Sequence, residues 1–224
     1  MPDSAQISVA VRLLMACRGR IPLPFKRAIL GRIRPKQAAE FVTQLSTEQF
    51  SRLTQSMPMP LIAQVVRYLQ PQAIREDYMI LPEEFHIELT QELCKISAFS
   101  TAADFANFLS AAQLKLLFFA LNNEAYVVSI LEHMDNLPVA GQGLRGCSTD
   151  FLARLVEEAA QRRNMEAVAR VIGMLSMQRQ ASVCARLSPL ALIQLLPKLL
   201  PLSNNQLSRY LPPKLVEVIE ARPH

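Results

Sequence analysis

A leucine or methionine returns every twelve residues in two stretches of this chain: Leu45, Met57, Leu69, Leu81 and Leu93, then Leu175, Leu187, Leu199 and Leu211. A second apolar rank precedes most of these by four positions, at Leu53, Val65 and Leu89 and at Val171, Val183, Leu195 and Leu207, continuing to Ile219. Spacings of four and eight put such side chains on one helical face. The residue after the marker is Ser46, Pro58, Pro82, Ser176, Ser188 or Pro212. Serine caps a helix N-terminus with its hydroxyl, and proline fits there because its missing N–H has no intrahelical bond to lose. Each block of twelve thus predicts one short helix with its turn, and two blocks predict a hairpin of about 24 residues.

The expected fold is all-α: a right-handed-type superhelical array of short antiparallel helix hairpins in two sub-arrays. Half of the 224 residues are apolar and Trp is absent, so the core is expected to be Leu, Ile, Val, Ala and Met. Fifteen prolines would disrupt an all-helical chain if scattered, at about 3 kcal/mol each inside a helix, but most stand at block junctions. Pro197 is the exception, and predicts a kink or an early helix end. After a first block from Pro35, blocks follow at 46–57, 58–69, 70–81 and 82–93, the last reaching about Ser97. Ser46 with Gln49, and Thr101 with Asp104, have the form of capping boxes. Residues 114–121 are apolar almost all round, which predicts a helix covered on several sides at the centre of the molecule. Gly141, Gly143 and Gly146 cluster in 137–149, which reads as a connecting loop. The organisation is then a basic arm (1–36), a first array (37–136), the Gly-rich loop (137–149) and a second array (150–221).

Charge is unevenly placed. Residues 1–36 carry eight basic side chains against Asp3 alone, whereas the rest of the chain carries 16 basic and 18 acidic groups. The alkaline pI near 9.2 therefore comes from the arm. Its candidate partner-binding residues are Arg18, Arg20, Lys26, Arg27, Arg32, Arg34 and Lys36. Such a cluster attracts anionic surfaces by Coulomb force. An acidic protein ranks first as partner and a membrane surface second. Nucleic acid follows, because no aromatic residues interleave with the charges, and a small molecule ranks last.

Chemical motifs are few. The four cysteines (Cys17, Cys94, Cys147, Cys184) form no C-x-x-C pair and the three histidines do not cluster with them, so neither zinc nor a disulfide framework is expected. Leu14-Met15-Ala16-Cys17 has the form of a lipoprotein cleavage box, but Asp3 and Arg12 break the pattern ahead of it and favour an amphipathic helix. Gly141-Gln142-Gly143-Leu144-Arg145-Gly146 matches G-x-G-x-x-G, yet no strand precedes it and no βαβ unit is in sight. His86 with Cys94 would need an orienting third group and a cleft to act as a nucleophile pair. His133, beside Glu132 and Asp135, is in the same position. Glu83-Glu84 at a helix start complements the helix dipole. No catalytic residue, cofactor or metal is expected.

Met57-Pro58-Met59-Pro60-Leu61-Ile62 through Tyr68-Leu69, Leu81-Pro82-Glu83-Glu84-Phe85 and Leu187-Ser188-Pro189-Leu190 carry a resemblance. These short helices with Leu-Pro or Leu-Ser junctions resemble the superfamily of the MgtE magnesium-transporter N-terminal domain and the FliG middle domain, over residues 35–97 and 165–221. Transporter domains of that kind present acidic clusters, whereas outward positions here mix Gln, Arg, Ser and Glu. The resemblance thus implies a cytoplasmic module that docks on other proteins, and not magnesium sensing; the basic arm adds an expected station peripheral to the inner membrane. The function expected is a non-enzymatic interaction or regulatory scaffold. The alternative is a ligand- or lipid-binding protein or enzyme with a pocket between the two arrays.

Overall fold

The computed structural model describes residues 34–212. The helices expected near 7–17 and 26–33, the basic residues Arg18, Arg20, Lys26, Arg27 and Arg32, and Ile219 lie outside the described residues. Among the described residues every regular element is a helix. None of these helices is long and apolar enough to cross a membrane. The chain divides into two compact units, 1–102 and 103–224.

The first unit holds α1 (Pro35–Val42), α2 (Thr47–Ser56), α3 (Met59–Val66), a 3-10 turn (Pro71–Ile74) running into α4 (Arg75–Met79), and α5 (Glu83–Lys95). The junction residues do what their chemistry suggests. Ser46 caps α2, its hydroxyl accepting from the Gln49 N–H at 3.4 Å while the Gln49 side chain accepts from the Ser46 N–H at 3.3 Å. Pro58 and Pro82 hold the N-cap positions of α3 and α5. Helix α5 stops at Ser97, which takes a left-handed φ of 56°. There the Ala98 N–H reaches back to the Leu93 carbonyl at 2.8 Å and the Ser97 N–H to Cys94 at 2.9 Å, the Schellman closure. Helices α1, α3 and α5 begin at 35, 59 and 83, and α2 and the 3-10 turn at 47 and 71, so like elements recur every 24 residues. They also pack on one another: α1 on α3, α3 on α5, and α2 on α4.

Helix α6 (Phe99–Ala106) contains the boundary between the units. The second unit continues with α7 (Ala111–Leu121), α8 (Glu124–Leu131), α9 (Leu137–Leu144), α10 (Thr149–Gln161), α11 (Glu166–Gly173), α12 (Met177–Cys184), α13 (Pro189–Leu202) and a 3-10 turn (Gln206–Tyr210). Second neighbours again stack, α7 on α9, α9 on α11 and α11 on α13, with α8 on α10 and α10 on α12 forming the other rank. The starts of α7, α9, α11 and α13 at 111, 137, 166 and 189 are unevenly spaced.

Of the period markers, Leu69, Leu81, Leu93, Leu175, Leu187, Leu199 and Leu211 are buried, while Leu45 and Met57 are half-buried. The described second rank (Leu53, Val65, Leu89, Val171, Val183, Leu195 and Leu207) is buried throughout.

Four expectations need correction. Residues 137–149 are not a connecting loop: 137–144 form α9, whose Leu137, Ala140, Gly141, Gly143 and Leu144 are buried. Thr101 and Asp104 lie inside α6, so they make no capping box at a helix start; one forms instead at Ser110 and Gln113, ahead of α7. Of the kink or early end expected at Pro197, the early end does not occur: α13 runs through it and Pro201 to Leu202. Helix α7 is not covered all round. It buries Leu114, Leu117, Phe118 and Leu121 but leaves Leu116 46% and Phe119 80% exposed.

Replacing Leu69 or Leu187 by Ala should lower unfolding stability by about 2–5 kcal/mol, read from urea denaturation, since each leaves a cavity in a helix seam. A loss below about 0.5 kcal/mol at both sites, the range of ordinary surface changes, would show that these positions do not hold the stack together.

Candidate functional site

The feature that most resembles a site lies in the second unit, between the exposed face of α7 and the start of α10. Lys115 and Phe119 stand four residues apart on α7, hence on one face. Asn122, left-handed at φ 42°, closes that helix. Gly146, Cys147 and Ser148 form the turn into α10, and Phe151 and Arg154 project from its first two turns. Together they line a cleft of about 280 Å³.

Two packing features build it. The first is the close approach of α9 to α7. A Cβ on Gly143 would lie 2.8 Å from the Ala111 carbonyl oxygen and 3.3 Å from the Lys115 amide nitrogen, so only glycine lets the two backbones meet here. At Gly146 the same construction meets Lys115 Nζ and Cε at 2.8 Å; the end of the exposed lysine lies across the bare glycine. The second is the cap on α10, where the Ser148 hydroxyl accepts from the Phe151 N–H at 3.1 Å.

The cleft is electropositive. Arg154 lies 5.9 Å from the Phe151 ring centre and donates from Nε to Glu124 at 2.5 Å. Burial pushes the Glu124 carboxyl up, but the hydrogen bond and charge of Arg154 outweigh it and hold the group below its ordinary value. Arg179 on α12 donates to the Cys147 carbonyl oxygen. Burial raises the Cys147 thiol, while the charges of Lys115 and Arg179 oppose the rise without cancelling it. Among the described residues Lys115 makes no ion pair.

The other candidates come apart on inspection. His86 and Cys94 are both buried in the first unit. The His86 Nε2–H donates to the Tyr78 carbonyl at 2.9 Å, its ring stacked 4.3 Å from that of Tyr78, and Cys94 is pushed up to about 12 by burial. Neither offers a substrate an accessible nucleophile. His133 donates from Nδ1 to the Ser129 carbonyl at 2.8 Å, a local helix contact. The G-x-G-x-x-G glycines serve helix packing, Gly141 against Met174 and Gly143 against α7. Of the proposed arm residues, Arg34 and Lys36 are described and exposed at the start of α1; Arg34 is its N-cap, without a side-chain cap bond. Among the described residues no group of three or more His, Cys, Asp or Glu is gathered to hold a metal ion. Sequence reasoning missed the cleft. Its one legible signal was Lys115 inside an otherwise apolar run, marking the face of α7 that meets water together with Phe119.

Replacing Gly143 by Ala should cost about 1–3 kcal/mol through overpacking against backbone. The Gly146→Ala change, which displaces only a flexible lysine end, should stay within about 0.5 kcal/mol. Urea unfolding of the two variants distinguishes them. A second expectation concerns alkali. Cys94 and Cys184 are raised by burial to about 12 and about 11 from an ordinary value near 9. The unfolded chain therefore loses these protons first. The stability they confer is complete below about pH 9 and is lost as pH rises through about 11 to 12. The urea midpoint should fall over that window, and fall less in a Cys94→Ala, Cys184→Ala variant. Comparison of the chain with protein-family models, curated proteins and solved structures finds no match.

Proposed function

We propose that this chain is a non-enzymatic docking module of the helical-repeat kind, similar in plan to the MgtE N-terminal and FliG middle domains. On this reading its short antiparallel hairpins wind into a superhelix and its surface and basic arm engage an acidic partner. The observation that carries the reading is the recurrence of like helices every 24 residues in the first unit, each stacked on its second neighbour. In such arrays the core is continuous and binding belongs to the outer surface. The proposed station is cytoplasmic, at the inner membrane where the partner is membrane-associated. The rival reading, a ligand-binding protein or enzyme, finds its best support in the cleft beside Gly146. At about 280 Å³ that cleft falls just short of the ~300–1,000 Å³ usual for small-molecule sites, and its lining pairs no acid with a base. The docking reading is the better supported.

Exchanging Arg18, Arg20, Arg27 and Arg32 for Gln tests the arm. If the arm docks a partner and does not pack on the repeats, the thermal midpoint should hardly move, since surface charges contribute about 0–1 kcal/mol each. Binding to immobilised polyglutamate, and to vesicles of phosphatidylglycerol as the membrane arm, should weaken and lose its salt dependence, since such attraction is screened over ~8–10 Å. Wild-type protein that binds neither probe, together with a variant that unfolds, would make the arm a structural cap and overturn its docking role.

A further inference from the structure

Around the cleft, the apolar and charged groups have an uneven balance. Phe119 is 80% exposed, with Leu116 at 46% beside it on α7, and Phe151 stands opposite on α10. An aromatic ring so exposed is unfavourable in water, and large exposed side chains of this kind carry much of an interface's binding energy when they are covered. Of the eight lining residues, two are cationic and none is a carboxylate. Two acids that flank the lining residues in sequence are engaged elsewhere: Glu124 with Arg154 at 2.5 Å and Asp150 with Arg186 at 2.7 Å. Lys115 has no such partner among the described residues, and its ammonium is laid over Gly146 at the cleft wall. Arg179, bonded to the Cys147 carbonyl behind it, adds positive charge.

We infer that this cleft is a docking seat for a protein segment in which an acidic residue stands next to a large apolar one. The carboxylate would face Lys115 and the exposed side of Arg154, and the apolar side chain would cover Phe119 and lie against Phe151. Charge complementarity selects this occupant over a purely apolar one, which would leave Lys115 desolvated without a counter-charge, a costly state for a buried ammonium. The exposed ring of Phe119 selects it over a bare anion, which would leave that ring uncovered. This inference rests on the reading of the chain as a docking module but is independent of the arm.

The test is selection of a random twelve-residue phage-displayed peptide library on the full-length protein. Binding of the recovered peptides is then measured to four variants: Phe119→Ser, Lys115→Glu, the four-Gln arm variant and, as an unrelated exposed apolar position, Leu190→Ser. Selected peptides should be enriched in Asp or Glu within two positions of Phe, Leu or Trp. Their affinity should fall by about tenfold or more in each cleft variant and persist in the arm and Leu190 variants. Because Phe119 and Lys115 are exposed, unchanged thermal midpoints are expected and serve as the folding control. Peptides without acidic enrichment, or peptides retained equally by both cleft variants, would overturn the cleft while leaving a docking module. A library that yields no binder from a protein that still binds polyglutamate does the same. Failure of both probes removes the docking reading with it. Loss of phosphatidylglycerol vesicle binding in the cleft variants, with no peptide selected, would reassign the cleft to lipid and overturn the inference.

Discussion

Seven of the described α-helices are only eight residues long. Isolated helices below roughly 12–15 residues are marginal in water, because nucleation is costly and few hydrogen bonds follow it. Each must therefore bury an apolar stripe on a neighbour to exist at all. A sequence neighbour joined by a turn of two to five residues cannot cover it alone, and the second neighbour completes the contact. That requirement generates the alternating ranks in both units, and it explains why burial falls on both leucine ranks and not on one. Capping matters more here than in long helices, since each short element has as many unsatisfied end groups as a long one but fewer internal bonds. Ser46, Ser110, Asn123, Ser148 and Ser188 each supply a side-chain acceptor to the first turn of the helix that follows.

Polar contacts in the second unit set which helices meet. Arg154 reaches Glu124 and Lys198 reaches Glu166, each across a second-neighbour helix pair, and Arg186 in the turn after α12 reaches Asp150 on α10. Exposed pairs of this kind are worth at most about 1 kcal/mol, so they select register more than they add stability. The Glu157 carboxylate is different. It accepts from both the N–H and the hydroxyl of Ser188, so α10 caps the first turn of α13 from outside. Buried Gln180 donates to the carbonyls of Gly173 and Leu175 at 3.1 and 2.8 Å, closing the turn between α11 and α12. Such side chains resolve an ambiguity that near-identical leucine seams leave open.

What was legible in the sequence was the local grammar. The N-caps at Ser46, Pro58, Pro82, Ser176 and Ser188 were marked by residue chemistry, and the buried leucines by their spacing. What failed was any inference requiring knowledge of a neighbour. Glycine reads as flexibility in isolation, yet Gly141 and Gly143 are contact residues, needed because α7 and Met174 come too close for a Cβ. An apolar run such as 114–121 reads as enclosed; Lys115 alone marks a wetted face, and the exposure of Leu116 and Phe119 beside it depends on which helices pack there. Pro197 reads as a break, yet helix α13 continues through it; local propensity gives way once the flanking Leu195, Leu196 and Leu199 are buried. The cleft depends on the first two of these, the close approach at Gly143 and the exposed side of α7, and so it could not be read from spacing.

The same dependence explains how a nearly neutral repeat body can present a selective electropositive spot. Net charge acts over distances beyond the ~8–10 Å screening length only weakly, so the balance of the whole body says little about what a docking segment meets. What it meets is decided by which charges are already spoken for. Glu124 and Asp150 are tied to arginines one helix pair away, and the glycine-enabled contact of α9 with α7 carries Gly146 up to Lys115. Were α9 held off by a side chain at Gly143, the turn that carries Gly146 and Cys147 would move away from α7. The exposed lysine would then lose the wall it lies against, and an ammonium without a fixed position discriminates poorly between anions. The close approach of two backbones is thus the physical source of the cleft's charge selectivity as well as of its shape.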